Sequence, residues 1–173
     1  MLAIYKIMLC AQHNINLFCI YNIKLYIYIV KSINSKYPLL EKTSPEECTG
    51  SRINRVCRVI NKIYRNHLKE IGITLSQLNI LFAVGKNPNI YQADVAQFLK
   101  LEPSTLSRDL ERLITKGYMI KGGYANKPNL NLTEKGYLYL EKIIPVWEQA
   151  KNEADDFIDR EGVLSLNYLT KKL

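Results

Sequence analysis

Residues Asn89–Thr133, NIYQADVAQFLKLEPSTLSRDLERLITKGYMIKGGYANKPNLNLT, decide the fold. Gln92–Leu99 reads as a short helix with Val95, Ala96, Phe98 and Leu99 facing inward. The small Ala96 lets a following helix cross closely, and Lys100, Leu101 and Glu102 make a three-residue corner. The second helix opens at Pro103, whose missing N–H costs nothing in a first turn. Leu106, Leu110, Leu113 and Ile114 recur at helical spacing as one apolar stripe, with Ser104, Thr105, Ser107, Arg108, Glu111 and Arg112 mainly on the other side. Core packing alone does not select such a face. A helix that enters a DNA groove does, because it needs short residues near its N-terminus and a guanidinium close by.

After Gly117, the residues Tyr118, Met119 and Ile120 form a short apolar run, and Leu130 and Leu132 alternate on a returning strand. Between them lies KGGYANKPN, a loop of turn formers carrying Lys121, Tyr124, Asn126 and Lys127. Two crossing helices followed by a hairpin give the order of a winged helix-turn-helix. The expected nucleic-acid contacts are therefore Pro103, Ser104, Thr105, Ser107, Arg108 and Arg112 on the helix, with Lys121, Tyr124, Asn126 and Lys127 on the wing. Lysines near phosphates contribute salt-dependent affinity, while residues at the tip lie in or along the minor groove.

The flanks are helical. Upstream, Thr74 and Gln77 make a capping box for a helix that starts at Leu75, carries Leu78, Ile80, Leu81 and Val84, and breaks at GKNPN. Before it, Ile53, Val56, Cys57, Ile60, Ile63, Tyr64 and Leu68 recur at three and four, a long amphipathic helix that Gly72 ends. Downstream, Thr133 caps a helix with Glu134 in its first turn. It runs from Tyr137 to Ile158, with a kink or new turn expected at Pro145, and Gly162 separates a last helix ending at Leu173. These helices carry more apolar surface than a small domain covers, so they point to pairing with a twin chain. The expected architecture is mainly α with a small β-hairpin. It comprises an N-terminal dimerisation helix at 46–72, a winged helix-turn-helix domain at 73–133 and C-terminal dimerisation helices at 134–173.

Residues 1–45 differ in character. They are rich in Ile, Tyr, Asn and Lys, the residues into which AT-rich non-coding DNA translates, so they read as an atypical extension, disordered or the product of a misplaced start. Lys6, Gln12, His13, Asn14, Asn16, Asn22 and Lys24 interrupt every apolar run, which argues against a signal peptide or a stable membrane anchor. The net charge of +8 is compatible with a nucleic-acid partner. Half of it sits in this segment, which has five lysines against Glu41, so the position of charge is more informative than its total.

Residues 46–173 resemble the MarR family of winged-helix transcriptional regulators, and three stretches carry the resemblance. ECTGSRINRVCRVINKIYRNHLKEIGITLSQLNIL, from Glu47, is similar to a branch in which an early cysteine precedes the long dimerisation helix. QADVAQFLKLEPSTLSRDLERLITKGYM resembles the family's helix-turn-helix, with Ser104, Thr105 and Arg108 at base- and phosphate-contacting positions. LNLTEKGYLYLEKIIPVW, from Leu130, is similar to the second wing strand and the Leu-Thr-x-x-Gly entry into the dimerisation helices. The resemblance implies a cytoplasmic homodimer that binds a palindromic double-stranded operator, usually as a repressor. It also implies release by a small phenolic or lipophilic effector or by an oxidant. The wing departs from the pattern, since Tyr124-Ala125-Asn126-Lys127-Pro128 lacks the Asp-x-Arg pair in which the acid braces the arginine. Cys48 matches the oxidation-sensing branch, but Gly50 stands where some relatives have a second cysteine. Cys48 is thus a possible redox sensor, and an inert small side chain is the competing reading for it and for Cys57.

Other classes are weaker. No cofactor or metal site is expected, because Cys10, Cys19, Cys48 and Cys57 show no CxxC spacing and there are two histidines in all. No catalytic constellation is implied either, with Asp109 and Glu111 read as intrahelical partners and His67 as a surface residue. The remaining alternative is a winged-helix module that docks proteins without sequence-specific DNA binding.

Overall fold

The computed structural model describes residues 24–30 and 36–173. Residues 1–52 and 53–173 are separate compact units. In the first, 24–30 are helical and exposed, Pro38–Glu41 forms one helical turn, and Pro45–Glu47 forms a 3-10 turn. The expectations for residues 1–23 and 31–35 lie outside the described residues. No described helix is long and apolar enough to cross a membrane.

Helix α1 (Thr49–Leu68) ends as expected near Gly72, whose N–H bonds back to the carbonyls of Leu68 and Lys69. Helix α2 (Leu75–Lys86) opens with the anticipated capping box. The Thr74 hydroxyl accepts from the Gln77 N–H at 3.2 Å, and the Gln77 side-chain oxygen accepts from the Thr74 N–H at 3.3 Å. Then come strand β1 (Ile90–Tyr91), helix α3 (Gln92–Leu99), helix α4 (Pro103–Thr115) and strands β2 (Met119–Tyr124) and β3 (Lys127–Leu132). The long helix α5 (Glu134–Thr170) completes the chain.

The expected hairpin is present as β2 and β3, and β1 adds a third strand in the antiparallel order β1-β3-β2, because Ile90 pairs with Leu130 and Tyr91 with Asn129. Two expectations, for the wing loop and for α3, are corrected. Most of the expected loop KGGYANKPN is strand. Gly123 faces Pro128 and Tyr124 faces Lys127, so the turn proper is Ala125–Asn126. Phe98, expected to face inward, is 72% exposed, leaving Val95 as the buried anchor of α3.

The C-terminal expectations shift as well. Backbone angles stay helical through Pro145 and leave the helical region at Asp159, three residues before the expected break at Gly162. Asp159 has φ +65°, a conformation disfavoured for a side-chain-bearing residue, and its carboxylate accepts the Gly162 N–H at 2.9 Å. A Cβ on Gly162 would overlap a methyl of Ile158, so glycine is the residue this tight corner accepts.

One core runs through the second unit. Leu68, Leu78, Ile80, Leu81, Val84, Val95, Leu106, Leu113, Met119, Leu130 and Ile143 are all buried within it. Every helix from α1 to α5 and the core face of the sheet contributes. His67, expected as a plain surface residue, is half-buried and places Nε2 2.6 Å from Glu153 Oε2, joining the end of α1 to α5. Tyr64, on the same helix, has its hydroxyl pKa raised, first by burial and then by Asp155.

The exit of α4 is clasped to the start of α5. Gly117, at φ +74°, ends α4 with its N–H on the Ile114 carbonyl, while the Tyr118 N–H reaches the Leu113 carbonyl. Thr133 closes the clasp from the other side. Its hydroxyl donates to the Gly117 carbonyl at 2.7 Å and accepts the Gly136 N–H at 3.0 Å. A Cβ on Gly136 would overlap the Tyr118 carbonyl oxygen, so the Thr-x-x-Gly spacing follows from this close approach. Thr133→Val keeps the shape of the side chain and removes both bonds. It should lower stability by about 1–2 kcal/mol in chemical denaturation at fixed protein concentration.

Candidate nucleic-acid interface

Pro103 occupies the first position of α4, and the chain enters it through Lys100, which adopts the left-handed conformation at φ +52°. The Leu101 N–H bonds the Ala96 carbonyl at 3.0 Å, closing the corner beside the small side chain. The Thr105 and Leu106 N–H groups both bond the Glu102 carbonyl at 3.0 Å. This geometry leaves Pro103, Ser104, Thr105, Ser107 and Arg108 exposed on one side while Leu106, Leu110 and Leu113 are buried on the other. The structure therefore brings the five expected N-terminal contacts of the helix onto one open surface.

Sequence reasoning missed what fixes that surface. Asp109, expected to pair within its own helix, is 6% exposed and points into the seam with α2. One carboxylate oxygen accepts from the Ser76 hydroxyl at 2.8 Å, and the other accepts from the Gln77 amide at 3.2 Å. Arg112 adds a longer contact of 3.4 Å to the second oxygen, so the expected intrahelical pair is present but peripheral. Arg112 remains exposed at 57% of its side chain and is the one expected contact on α4 that has an ionic partner within the described protein. The Thr74–Gln77 box was visible in the sequence, but the buried destination of the Gln77 amide was not.

The wing residues Lys121, Tyr124, Asn126 and Lys127 are all exposed, Tyr124 to 83%. Lys127 is nevertheless oriented, with its ammonium 4.2 Å from the centroid of the Tyr91 ring. Between α4 and the wing lies a crevice of about 250 Å³ lined by Gln92, Ser107, Leu110, Glu111, Ile114, Thr115 and Lys121. At the base of the wing, Tyr118 stacks on Tyr139 at 4.0 Å with the rings 4° apart. Burial, then the neighbouring Tyr118, pushes the Tyr139 hydroxyl up to about 12, and that hydroxyl donates to the Ile71 carbonyl at 3.1 Å.

A second surface lies between the reading elements and α5. Phe82 and Trp147 meet edge to face at 5.1 Å, and with Asn79, Lys86, Phe98, Leu99 and Ile144 they line a cleft of about 410 Å³. Among the described residues, no group of three His, Cys, Asp or Glu side chains is placed to hold a metal ion.

Comparison with known proteins places this geometry. The profile of the MarR family matches residues 71–121, which span α2 to the start of the wing. That segment is similar to the MarR family. A regulator from Bacillus cereus, described as an uncharacterized HTH-type transcriptional regulator, is 26% identical over 125 residues, covering 70% of this chain and 84% of its own. Among solved structures, Bordetella bronchiseptica BpsR superposes with a TM-score of 0.67 at 19% identity, over 75% of this chain and 96% of its own. A MarR mutant from E. coli, solved with operator DNA, superposes with a TM-score of 0.62 at 23% identity, over 80% and 95%. At these identities the structural likeness speaks for the fold, and that fold is the MarR winged helix.

In the first unit, Cys48 is exposed and occupies the residue before α1, where its carbonyl accepts the Arg52 N–H at 3.0 Å. Its pKa is lowered, chiefly by the backbone N–H of Ser51, then by the Ser51 side chain and the backbone of Gly50. A thiolate at the start of a helix thus finds donors already in place.

Two outcomes follow from this geometry. Asp109→Ala strands the Ser76 hydroxyl and the Gln77 amide, and should lower stability by about 2 kcal/mol in urea denaturation. For Cys48, a lowered pKa means that the thiolate persists to lower pH than in an ordinary cysteine and is lost as pH falls through that value. The rate of iodoacetamide labelling at Cys48, read by peptide mass spectrometry, should therefore show a depressed midpoint that Ser51→Ala moves upward.

Proposed function

We propose that this protein is a sequence-specific double-stranded DNA-binding transcriptional regulator of the MarR type, acting in the cytoplasm as a homodimeric repressor on a palindromic operator. The observation that carries this reading is the exposed polar face of α4, with Ser104, Thr105, Ser107 and Arg108 open beside a lysine-bearing wing. A protein-docking module has no need of this combination, and the family match and the regulators it resembles favour DNA over that alternative. In this reading Arg108 and the short residues before it read base edges, Arg112 supports the phosphate contact, and Lys121, Tyr124, Asn126 and Lys127 meet the adjoining backbone and minor groove.

Dimerisation is supported by apolar surface on the two long helices. Ile53, Val56 and Val59 on α1 are 40–51% exposed, and Phe157, Leu164, Leu166 and Leu169 on α5 are similarly open. A two-fold dimer buries such faces and sets two reading helices one DNA turn apart.

Release is read at two places. The cleft lined by Phe82 and Trp147 suits a small aromatic or lipophilic effector, in keeping with BpsR, whose DNA binding is described as regulated by 6-hydroxynicotinic acid. Cys48, exposed and with a lowered pKa, is the candidate oxidant sensor.

Arg108→Ala tests the assignment. It should weaken operator binding by about 1–3 kcal/mol, roughly five- to 150-fold, in a mobility-shift titration while sedimentation shows an unchanged dimer. An unchanged dissociation constant would remove α4 from the interface.

A further inference from the structure

We propose that Tyr91 is the positioning residue of the wing, holding the Lys127 ammonium against its ring so that this charge is presented to the DNA backbone. The inference rests on the DNA-binding reading above and assigns a role to a residue that this reading leaves unused.

Strand register puts the two side chains together. Tyr91 pairs with Asn129, and Lys127 lies two residues along the same strand, on the same face of the sheet. Gly122 is the partner of Asn129 on the other side, and the Asn129 side chain lies over it, so that a Cβ there would meet Oδ1 at 2.7 Å. The Lys127 nitrogen sits 4.2 Å from the Tyr91 centroid, within the range in which the ring quadrupole attracts a cation. Tyr124 faces Lys127 across the hairpin, so the ammonium belongs to a face with an aromatic residue on each neighbouring strand.

Lysine needs such a partner here. Its charge rides on a flexible four-carbon stem, and the residue stands at the first position of β3, directly after the Ala125–Asn126 turn. No aspartate or glutamate lies within Tyr124–Pro128 to hold it by charge. The ring supplies the brace by a different route. It attracts one side of the ammonium without neutralising it, and the N–H groups turned away from the ring stay available to a phosphate. Tyr91 is also the residue immediately before α3, so its ring ties the wing to the first helix of the helix-turn-helix.

The test compares wild type, Tyr91→Phe, Tyr91→Val, Lys127→Met and the Tyr91→Val/Lys127→Met double variant, full-length, by anisotropy on an operator duplex across a salt series. Tyr91→Val should lower affinity about two- to fivefold and flatten the salt dependence in the same direction as Lys127→Met. Tyr91→Phe, which keeps a ring, should bind like wild type, and the double variant should bind no more weakly than Lys127→Met alone. Wild-type binding by Tyr91→Val, or losses that multiply in the double variant, would overturn the proposal. A readout without DNA stands beside these. The Lys127 Cε protons should be shifted upfield by the ring in NMR spectra of the wild-type protein, and their absence from the shifted region overturns the brace even where Tyr91→Val fails to fold. Arg108→Ala serves as the control. If it binds as tightly as wild type, the DNA reading itself fails, whereas its loss together with an inert Tyr91→Val removes only the role of Tyr91.

Discussion

The rotational setting of α4 depends on one buried carboxylate. Leucines at 106, 110 and 113 give the helix a buried side, but leucine contacts are non-directional and tolerate a twist about the helix axis. Asp109 does not tolerate it. Its two oxygens are met by Ser76 and Gln77 from the first turn of α2, and a rotation that broke those bonds would leave a charge in a position 6% exposed. The bond geometry therefore selects one rotation, and that rotation points Ser104, Thr105, Ser107 and Arg108 outward. Gln77 serves twice, since its oxygen caps α2 while its nitrogen holds Asp109, so the capping box and the reading surface form one connected network.

The opposite end of α4 is fixed by backbone rather than by charge. Gly117 turns the chain out of the helix, Thr133 bonds the Gly117 carbonyl, and Gly136 allows the backbone of α5 to approach Tyr118. Lys135 adds a bond of 2.7 Å to the Lys116 carbonyl, placing a cation at the C-terminal end of α4, where the helix dipole favours it. Three elements thus meet within a few residues: α4, the base of the wing and the long helix α5. The sheet is less firmly held at its other edge, where β1 joins β3 through two residue pairs.

Much of this is legible in the sequence, and the division follows physical range. Local signals read correctly: the Thr74–Gln77 box, Pro103 at the start of α4, the end of α1 before Gly72 and the cap at Thr133 each act over three or four residues. Long-range pairings were not legible. Strand β1 is two residues long, too short for an alternating pattern, and exists because Leu130 and Asn129 lie opposite it. Asp109 looked like a surface acid because Arg112 stands one turn away, whereas its stronger partners lie 32 and 33 residues earlier. Phe98 misled in the opposite sense, since an apolar residue at an inward position in the sequence pattern is 72% exposed beside the Trp147 cleft. The exposed polar face of α4 and the lysines of the wing were read from the sequence, but what orients them, Asp109 for the helix and Tyr91 for Lys127, comes from tertiary contact.

These two attachments differ in stiffness, and under the proposed function the difference bears on how a signal would reach DNA. The cleft at Phe82 and Trp147 is built from α2, α3 and α5, and α2 is also the helix whose first turn grips Asp109. A ligand that changes the spacing of α2 and α5 therefore acts on α4 through short, buried, directional bonds, which do not stretch without breaking. The wing is anchored at its base by the buried Met119, Leu130 and Leu132, but its tip, from Gly123 to Pro128, has no buried residue and is held to β1 by an exposed contact between the Lys127 ammonium and the Tyr91 ring, which is weaker and more compliant. Movement of α2 accordingly carries the reading helix with it more faithfully than it carries the wing tip. If α4 and the wing contact DNA as proposed, their separation, rather than displacement of the whole domain, is the mechanically favoured response. Because a ligand shifts an equilibrium only by its differential affinity for the two states, a few kcal/mol of preference at the cleft suffices only if little is dissipated on the way. The buried Asp109 linkage is the part of the structure that meets that requirement.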